Sequence, residues 1–424
     1  MRGSDTAMRR WLGMGSLVTA LVSALLFAGS EAAGLATITT IAGNGVAGFG
    51  GDGGAATSGS LHTPAGVAVA APAKLIIGDI DNCRVRMVNG GVITTIAGTG
   101  TCAFGGDGGP ATAADLRWPK GVAVYSNGDV YIADSFNCRI RKISGGVITT
   151  VAGNGTCSYG GDAGSATSAS LNVPEGVAVD GTGNLYIADT GNCRIRRVSG
   201  GTITTIAGDG MCIDGGDGGP ATGAHLHAPA SVIVDSHGIV YVADTYNCRV
   251  RTITAGTINT IAGDGTCGYG GDGGASTSAS LAYPYSLALD AVGNLYVADT
   301  FNCRVREISA GMINTIAGNG TCTFDGDGGP GTNAGLNLPL GLIVDNTGNL
   351  FVADSGNNRI REVSPASVGG IAEQPDVTAS PSSSASSGRD HKVYFPGVVA
   401  VLMVAVAGTA GWRKRRRRSR PTSA

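Results

Sequence analysis

Short apolar runs separated by glycine and asparagine dominate the chain. In residues 176–208 the runs are GVAVD, NLYIAD, CRIRRVS and TITTIAG, all rich in Val, Ile, Tyr or Thr. CRIRRVS alternates in polarity for several residues, as a β-strand with one wetter face does. Turn residues interrupt the runs before a helix of ordinary length could form. The pattern predicts an all-β fold.

These four runs recur as a unit between residues 34 and 364. The period is 55 residues without insertion or deletion, and the aspartate after the second run marks each copy: Asp79, Asp134, Asp189, Asp244, Asp299 and Asp354. Six copies of four strands predict a six-bladed β-propeller of four-stranded blades.

The sixth copy lacks a good fourth strand. The missing segment stands at the other end of the repeat region, because TITTIAG at residues 37–43 precedes the first copy and matches the fourth-strand position. We therefore predict that this N-terminal strand closes the last blade, which leaves no unpaired inner edge.

The ten cysteines follow the same period in two series, and neighbours could pair 19 or 36 residues apart. Two gaps decide between these pairings. Ala47 and Asn358 stand where the series would continue, and they become partners at the 19-residue spacing once the N-terminal strand closes the ring. The 36-residue pairing instead leaves Cys83 and Cys322 alone. The predicted disulfides are Cys83–Cys102, Cys138–Cys157, Cys193–Cys212, Cys248–Cys267 and Cys303–Cys322.

The consensus of the copies carries a family resemblance. It reads GxATxxxLxxPxGVAVDxxGNLYIADTxNCRIRxVS and is similar to the NHL repeat, in the glycine-rich form of bacterial multi-repeat proteins and of the teneurin propeller. The resemblance covers residues 37–364 and departs from the family at the cysteine of NCR. It implies a six-bladed propeller used mainly for extracellular or scaffold binding, and it leaves the partner open.

The start of the chain carries a topology signal. Arg9 and Arg10 precede a long apolar run and a group of small residues, which predicts a signal peptide over residues 1–32. An uncleaved signal anchor is the alternative, because the apolar run is long for a signal core.

The other end predicts a membrane anchor. Residues 365–392 are rich in Ser, Pro and Ala, typical of a disordered stalk. Residues 393–412 form an uncharged stretch long enough to cross a bilayer as one helix, and the basic residues 413–424 predict a cytoplasmic tail. We therefore expect a single-pass protein of the cell membrane with its propeller outside the cytoplasm.

Composition excludes one class of partner. The chain has a net charge of −2 and only 14% charged residues, so its body gives no support for nucleic-acid binding. Its 72 glycines indicate many tight turns.

Three polar features invite a chemical interpretation. The repeated GGDGG segment is expected to form a turn, so no cofactor is predicted, and calcium binding is the alternative. The Asp79/Arg84 type of pair is expected to form a charge-assisted hydrogen bond within each blade, and a ligand ring is the alternative. His225 and His227 alternate in the sequence and are expected to be ordinary loop residues, with part of a metal site as the alternative. The GxSxG and HExxH motifs are absent, and we assign no catalytic or metal-binding residue.

A binding site should lie where the copies differ. The positions beside the repeated proline and before the first cysteine series vary, and several hold residues that anchor protein interfaces. These candidate binding residues are Trp118, Lys120, Phe136, Tyr246, Tyr283, Tyr285 and Phe301. The alternative is neutral variation of exposed loops.

These observations predict a membrane-anchored extracellular binding module that recognises a protein or a glycan, in adhesion or sensing. The alternative is an extracellular propeller hydrolase or lyase with an axial metal ion. It would need different polar side chains at the channel mouth, for which His225, His227 and Glu175 are the hints. A purely structural surface protein is a third interpretation.

Overall fold

The computed structural model describes residues 36–365, which form six antiparallel sheets arranged as the blades of a propeller. The all-β, six-bladed prediction is confirmed. The predicted signal peptide, transmembrane helix and basic tail lie outside this range, as does the stalk after its first residue. Within the described residues, no helix combines the length and the apolar character needed to span a membrane.

Each blade runs from an inner strand at the axis to an outer strand at the periphery. Strand β1 (Ile38–Ala42) begins the described chain, and the first blade is β2 (Pro64–Ala70), β3 (Lys74–Asp79), β4 (Arg84–Asn89) and β5 (Val92–Ala97). Blades two to four are β6 (Pro119–Val124), β7 (Val130–Asp134), β8 (Arg139–Ser144), β9 (Val147–Ala152); β10 (Gly176–Val179), β11 (Leu185–Asp189), β12 (Arg194–Ser199), β13 (Thr202–Ala207); and β14 (Ser231–Val234), β15 (Val240–Asp244), β16 (Arg249–Thr254), β17 (Thr257–Ala262). Blades five and six contain β18 (Gly274–Ala275), β19 (Pro284–Leu289), β20 (Leu295–Asp299), β21 (Arg304–Ser309), β22 (Met312–Ala317); and β23 (Pro339–Val344), β24 (Leu350–Asp354), β25 (Arg359–Val363).

The only helical elements in residues 36–365 are single 3₁₀ turns in the loops. One set lies in the segments that connect successive blades: Ala56–Ser58, Ala111–Ala113, Ala166–Ser168, Ala221–Gly223, Ser276–Ser278 and Gly331–Asn333. A second set precedes the third strand of blades two to six: Ser135–Asn137, Thr190–Asn192, Thr245–Asn247, Thr300–Asn302 and Ser355–Asn357.

Strand β1 closes the ring. It pairs antiparallel with β25, with Ile38 opposite Val363 and Thr40 opposite Arg361, so the sixth sheet has the order β1-β25-β24-β23. Ile38 is fully buried in this position. The prediction that the N-terminal strand completes the last blade is confirmed, and the six inner strands form an uninterrupted circle.

The hydrophobic core lies between neighbouring blades. At the closure, Leu61 and Ile77 of the first blade pack in one cluster with Ile360 of the last. The other clusters join successive blades in the same way, because each sheet has two faces and each face packs on a neighbour. The blades therefore hold one another as a ring.

A buried arginine organises each blade. In the third, Arg196 and Asp189 are both fully buried, with Nη1 3.1 Å from Oδ2. Nη2 of the same guanidinium lies 2.6 Å from Oδ1 of Asp162 in the connecting loop. The backbone N–H of Asn172 and the amide of Asn192 also donate to Asp189. Burial raises the pKa of Asp189, and these hydrogen bonds and the arginine oppose the shift.

The same arrangement occurs six times and gives partners to two of the polar features of the repeat. The loop aspartates of GGDGG bind the buried arginines, which are Arg86, Arg141, Arg196, Arg251, Arg306 and Arg361. The expected charge-assisted hydrogen bond within each blade exists, but the expected partner, Arg84, is wrong: Asp79 binds Arg86 at 3.2 Å. Arg84 lies across from Asp79 in the strand register, yet its guanidinium donates to the carbonyls of Asn82 and Thr99. Arg86 lies deeper in the blade, where only the carboxylates can neutralise it.

The five disulfides join the loop before the third strand to the loop after the fourth. All have the 19-residue separation deduced from the two gaps, with Cα–Cα distances of 5.3–5.5 Å. The first cysteine of each pair adopts a left-handed conformation with φ between 51° and 53°, and Asn358 has φ 53° in the sixth blade. Asparagine tolerates this region better than most residues. Ala47 forms the bridge to Leu61 that Cys102 forms to Leu116, so the backbone path persists without the sulfurs.

Removal of a buried arginine should destabilise the propeller more than removal of its partly exposed neighbour. We expect Arg196→Met to lower the free energy of unfolding by about 3–5 kcal/mol, because Asp189 would stay buried without its counter-charge. The matched variant Arg194→Met removes a guanidinium that stacks on Tyr159 and should cost about 1 kcal/mol. Denaturant unfolding of both variants measures the difference, and equal losses would contradict the assigned role of Arg196.

A sixth disulfide should form in the closing blade. In the double variant Ala47→Cys, Asn358→Cys, the two thiols occupy the positions of the missing pair and should oxidise during folding. The bond would close a loop of most of the chain, so its chain-entropy gain has an upper limit of about 6 kcal/mol. The lost hydrogen bond from the N–H of Thr63 to Asn358 offsets roughly 1 kcal/mol of this gain. Non-reducing peptide mapping and the melting temperature test this. The two single-cysteine variants are the controls, and two free thiols in the folded double variant would disprove the geometry.

Candidate functional site

One end of the ring gathers the loops that differ between copies. In the second blade the N–H of Ser135 donates to the carbonyl of Trp118, and the N–H of Phe136 donates to that of Arg117. These bonds place the loop before the first strand beside the loop before the third. Cys138 follows directly, so the disulfides lie at the same end, as the sequence predicts. We call this end the loop face.

The residue before each inner-strand proline has an unusual backbone. All six have φ between 45° and 54°: Thr63, Trp118, Val173, Ala228, Tyr283 and Leu338. This left-handed region is costly for a non-glycine residue and persists only where the surroundings impose it. In the second blade, Asp134 accepts the N–H of Arg117, one residue earlier, at 2.7 Å. Because the buried network fixes the loop, the backbone is the same whatever side chain it carries.

Five predicted binding residues lie on the loop face in two groups, which together we call the aromatic rim. They are Trp118, Phe136, Tyr246, Tyr283 and Phe301. The ring centroids of Trp118 and Phe136 are 4.7 Å apart, those of Tyr246 and Tyr283 are 5.2 Å apart, and those of Tyr283 and Phe301 are 4.8 Å apart. The rim therefore consists of one pair on the second blade and one group on blades four and five. Phe301 is 62% exposed and Tyr246 55%, so these groups face solvent.

The remaining two predicted residues meet at the axis. Nζ of Lys120 bonds to Oε1 of Glu175, and the hydroxyl of Tyr285 donates to Oε2 of the same carboxylate at 2.6 Å. The three residues occupy the position just after the proline in blades two, three and five. Because the inner strands follow one another around the axis, blades two and five stand opposite each other, and these side chains cross the channel mouth. We call them the axial bridge.

The axial bridge is largely shielded from solvent. The side chain of Lys120 is 15% exposed and that of Glu175 12%. Burial raises the pKa of Tyr285 well above its usual range, and the charge of Glu175 adds to the shift because it opposes a second anion. Tyr285 therefore stays protonated as a hydrogen-bond donor. The corresponding positions in the other blades are Ala65, Ala230 and Leu340.

An apolar cavity lies along the axis at this mouth. Its volume is about 290 Å³, and the inner strands of all six blades line it. Val122, Val177 and Leu287 are among the lining residues, with Gly66 and Gly121 where neighbouring strands approach closely. A cavity of this lining binds apolar groups, and the axial bridge supplies its polar end.

The two histidines do not share a site. Nδ1 of His225 lies 2.9 Å from Oδ2 of Asp209, whereas the ring of His227 packs on that of Tyr246 at 5.1 Å. Within residues 36–365, no cluster of three or more His, Cys, Asp or Glu side chains is arranged to hold a metal ion. The axial metal of the alternative interpretation stays a prediction.

An outer belt of aromatic residues was missed from the sequence. Its members are Phe49, Phe104, Tyr159, Tyr269 and Phe324, each beneath the first arginine of its blade at 3.7–3.8 Å. In the fourth blade Asp214 replaces the aromatic residue and binds Arg249 at 3.1 Å. The belt recurs with the 55-residue period, which marks it as part of the repeat. Glu175, which the sequence suggested as a polar side chain at the channel mouth, does lie there, but its partners are Lys120 and Tyr285 and not the two histidines.

Comparison with known proteins agrees with this architecture. A family model described as the teneurin NHL domain matches residues 100–159, and one described as the NHL repeat matches residues 171–198 and 336–362. The described residues form a six-bladed propeller in which these three segments match the teneurin NHL domain and NHL repeat models. Mouse (Mus musculus) teneurin-1 is 33% identical to the chain over 237 residues, which cover 48% of this chain and 8% of the relative. NHL repeat-containing protein 2 of Gallus gallus is 29% identical over 326 residues, or 68% of this chain and 44% of the relative.

The chain thus spans less than half the length of these relatives. Among solved structures, an auxiliary nutrient binding protein from Bacteroides ovatus aligns with a TM-score of 0.58 at 14% identity, covering 78% of this chain and 77% of that one. A protein of unknown function from Bacteroides thetaiotaomicron aligns with a TM-score of 0.57 at 21% identity, covering 78% and 76%. At these identities the likeness shows the fold alone.

Neutralisation of Glu175 should lower the pKa of Tyr285. In Glu175→Gln the amide keeps the shape of the side chain but removes the negative charge that opposes tyrosinate, so the phenol should ionise at a lower pH. Because burial remains, its pKa should stay above the usual value. A pH titration by NMR of protein labelled with ¹³C-tyrosine measures the shift.

The matched control is Glu307→Gln. Burial and then Glu307 raise the pKa of Tyr296, so this substitution should lower the pKa of Tyr296 and leave Tyr285 unchanged. An unaltered Tyr285 pKa in Glu175→Gln would show that the axial bridge does not persist in solution.

Proposed function

We propose that the NHL propeller is a binding module that recognises an extracellular protein through its aromatic rim. The observation that carries the proposal is the position of these aromatic residues. They occupy loop positions that the repeat leaves free to vary, yet three centroid distances of 4.7–5.2 Å join them into two exposed groups.

Fold stability gives no reason for aromatic residues at these positions. The equivalent positions in other blades hold Thr63, Val173 and Ala228 in the same backbone conformation. Exposed aromatic side chains on a rigid backbone are the usual energetic centres of protein interfaces, because they bury a large area at a small entropic cost. Arg117, whose guanidinium lies 5.8 Å from the ring centre of Phe136, adds a cation of the kind enriched in such centres.

The proposed location is the cell surface. Five disulfides favour an oxidising compartment. The apolar stretch 393–412 and the basic residues after it support a single membrane anchor with the propeller outside the cytoplasm. Adhesion or sensing through a partner fits this arrangement. The proposal includes no cofactor and no nucleic acid.

Substitution of the rim should abolish partner capture. We expect the triple variant Tyr246→Ala, Tyr283→Ala, Phe301→Ala and the double variant Trp118→Ala, Phe136→Ala each to lower capture at least tenfold, since one interface anchor is worth roughly 2 kcal/mol. The full chain is cross-linked to the surface proteins of its source cells, the captured proteins are quantified by mass spectrometry, and the strongest is purified for direct binding.

The control variant is Phe104→Ala. Phe104 is an exposed aromatic residue in the same blade as Trp118, but it belongs to the outer belt, so its loss should change binding less than about twofold. Purified partner that binds the rim variants as well as the wild type overturns the proposal. Binding that is lost when the partner is deglycosylated, and regained with the free glycan, replaces the protein partner by a glycan.

A further inference from the structure

The axial bridge is the one polar contact between side chains that crosses the channel in residues 36–365, and the repeat does not require it. Three of the six blades have Ala65, Ala230 and Leu340 at the position that Lys120, Glu175 and Tyr285 occupy elsewhere. The inner strands of those three blades form in the same ring with an apolar residue at this position. A shielded ion pair adds little stability over apolar residues of similar volume. The bridge therefore needs an explanation other than folding.

The cavity next to the bridge has the character of a small-molecule pocket. Its volume of about 290 Å³ lies near the lower end of the usual range, roughly 300–1,000 Å³. Valine, alanine, leucine and isoleucine side chains line most of its walls, with Ser231 and Ser286 close to the mouth, so the body of a ligand must be largely apolar. The polar groups converge at one end, where they would fix the orientation of a single head group.

The hydrogen bonds of the bridge define that head group. Both oxygens of Glu175 already accept, one from Lys120 and one from Tyr285, and the hydroxyl proton of Tyr285 is committed to Glu175. Within residues 36–365, the ammonium of Lys120 donates only to Glu175, which leaves two of its three protons for a ligand. The two free protons of Lys120 are therefore the donors that the bridge leaves unused, and a hydrogen-bond acceptor on the ligand can meet them.

The charges at the mouth limit the kinds of head group that a ligand could carry. The positive charge of Lys120 is balanced by Glu175, and Tyr285 is a neutral phenol that donates to the same carboxylate. A carboxylate ligand would compete with Glu175 for the same cation, and an ammonium ligand would face Lys120 directly. An uncharged acceptor such as a carbonyl oxygen meets neither cost.

We propose that the axial cavity is a second binding site, for a compact apolar molecule that carries one uncharged hydrogen-bond acceptor, with Lys120 as the donor. The site is separate from the aromatic rim and does not depend on a protein partner. If no partner of the aromatic rim is found, the proposal for the axial cavity is unaffected.

Three soluble probes that share one ring test the ligand class: cyclohexanone, cyclohexanecarboxylate and cyclohexylammonium. Binding to the full chain is followed by the NMR signal of Tyr285 in protein labelled with fluorotyrosine, assigned with Tyr285→Phe. Cyclohexanone should shift this signal saturably. The two charged probes should bind at least about tenfold more weakly than cyclohexanone. No saturable shift, or a carboxylate that binds as tightly as the ketone, overturns the proposal.

Variants locate the site. Lys120→Met should weaken the binding of cyclohexanone roughly tenfold. Lys142→Met, which removes a lysine paired with Asp129 elsewhere in the blade, should leave this binding unchanged.

Val122→Phe fills the cavity and should abolish the shift of the Tyr285 signal. Because that variant risks misfolding, Ala230→Leu narrows the mouth as a second block. Unchanged cyclohexanone binding in either folded variant, or equal binding in the two lysine variants, places the probe elsewhere and overturns the proposal.

Discussion

Closure of the ring by β1 is the constraint on which the molecule depends. Without β1, the third strand of the last blade, β25, would keep an unpaired outer edge, because the last copy of the repeat is one strand short. Pairing of Ile38–Ala42 with Arg359–Val363 removes it. The same pairing brings Ala47 and Asn358 into the relation that a disulfide has in the other blades. The axial cavity and the bridge across it exist only because the circle is complete.

Within each blade, a buried arginine connects the strands to the loops of the loop face. Arg196 contacts Asp189 at the end of the second strand and Asp162 in the segment that arrives from the preceding blade. One guanidinium thus joins two strands and a connecting loop. The N–H of Asn172 donates to Asp189, which extends the network to the entry of the inner strand. Repetition of this network explains why loops of different sequence share one backbone.

The repeat region could be predicted from the sequence because its signals are periodic. Strand β1 was recognisable as a displaced copy, and the gaps at Ala47 and Asn358 fixed the cysteine pairing. The choice between Arg84 and Arg86 was beyond the sequence, since the two residues lie on the same strand face and differ only in depth. The contact among Lys120, Glu175 and Tyr285 was equally hidden. These residues are separated by one and by two further repeats, and only the diameter of the ring decides that they touch.

The left-handed residue before each inner-strand proline has a consequence for how such a surface changes. At these six positions the backbone accepts Thr, Val, Ala, Leu, Trp and Tyr without a change of φ beyond about ten degrees. A point mutation there alters what the protein displays while leaving the architecture beneath it intact. Side chains at these positions can therefore change one at a time over evolution with little risk to folding, because the frame beneath them does not depend on their identity.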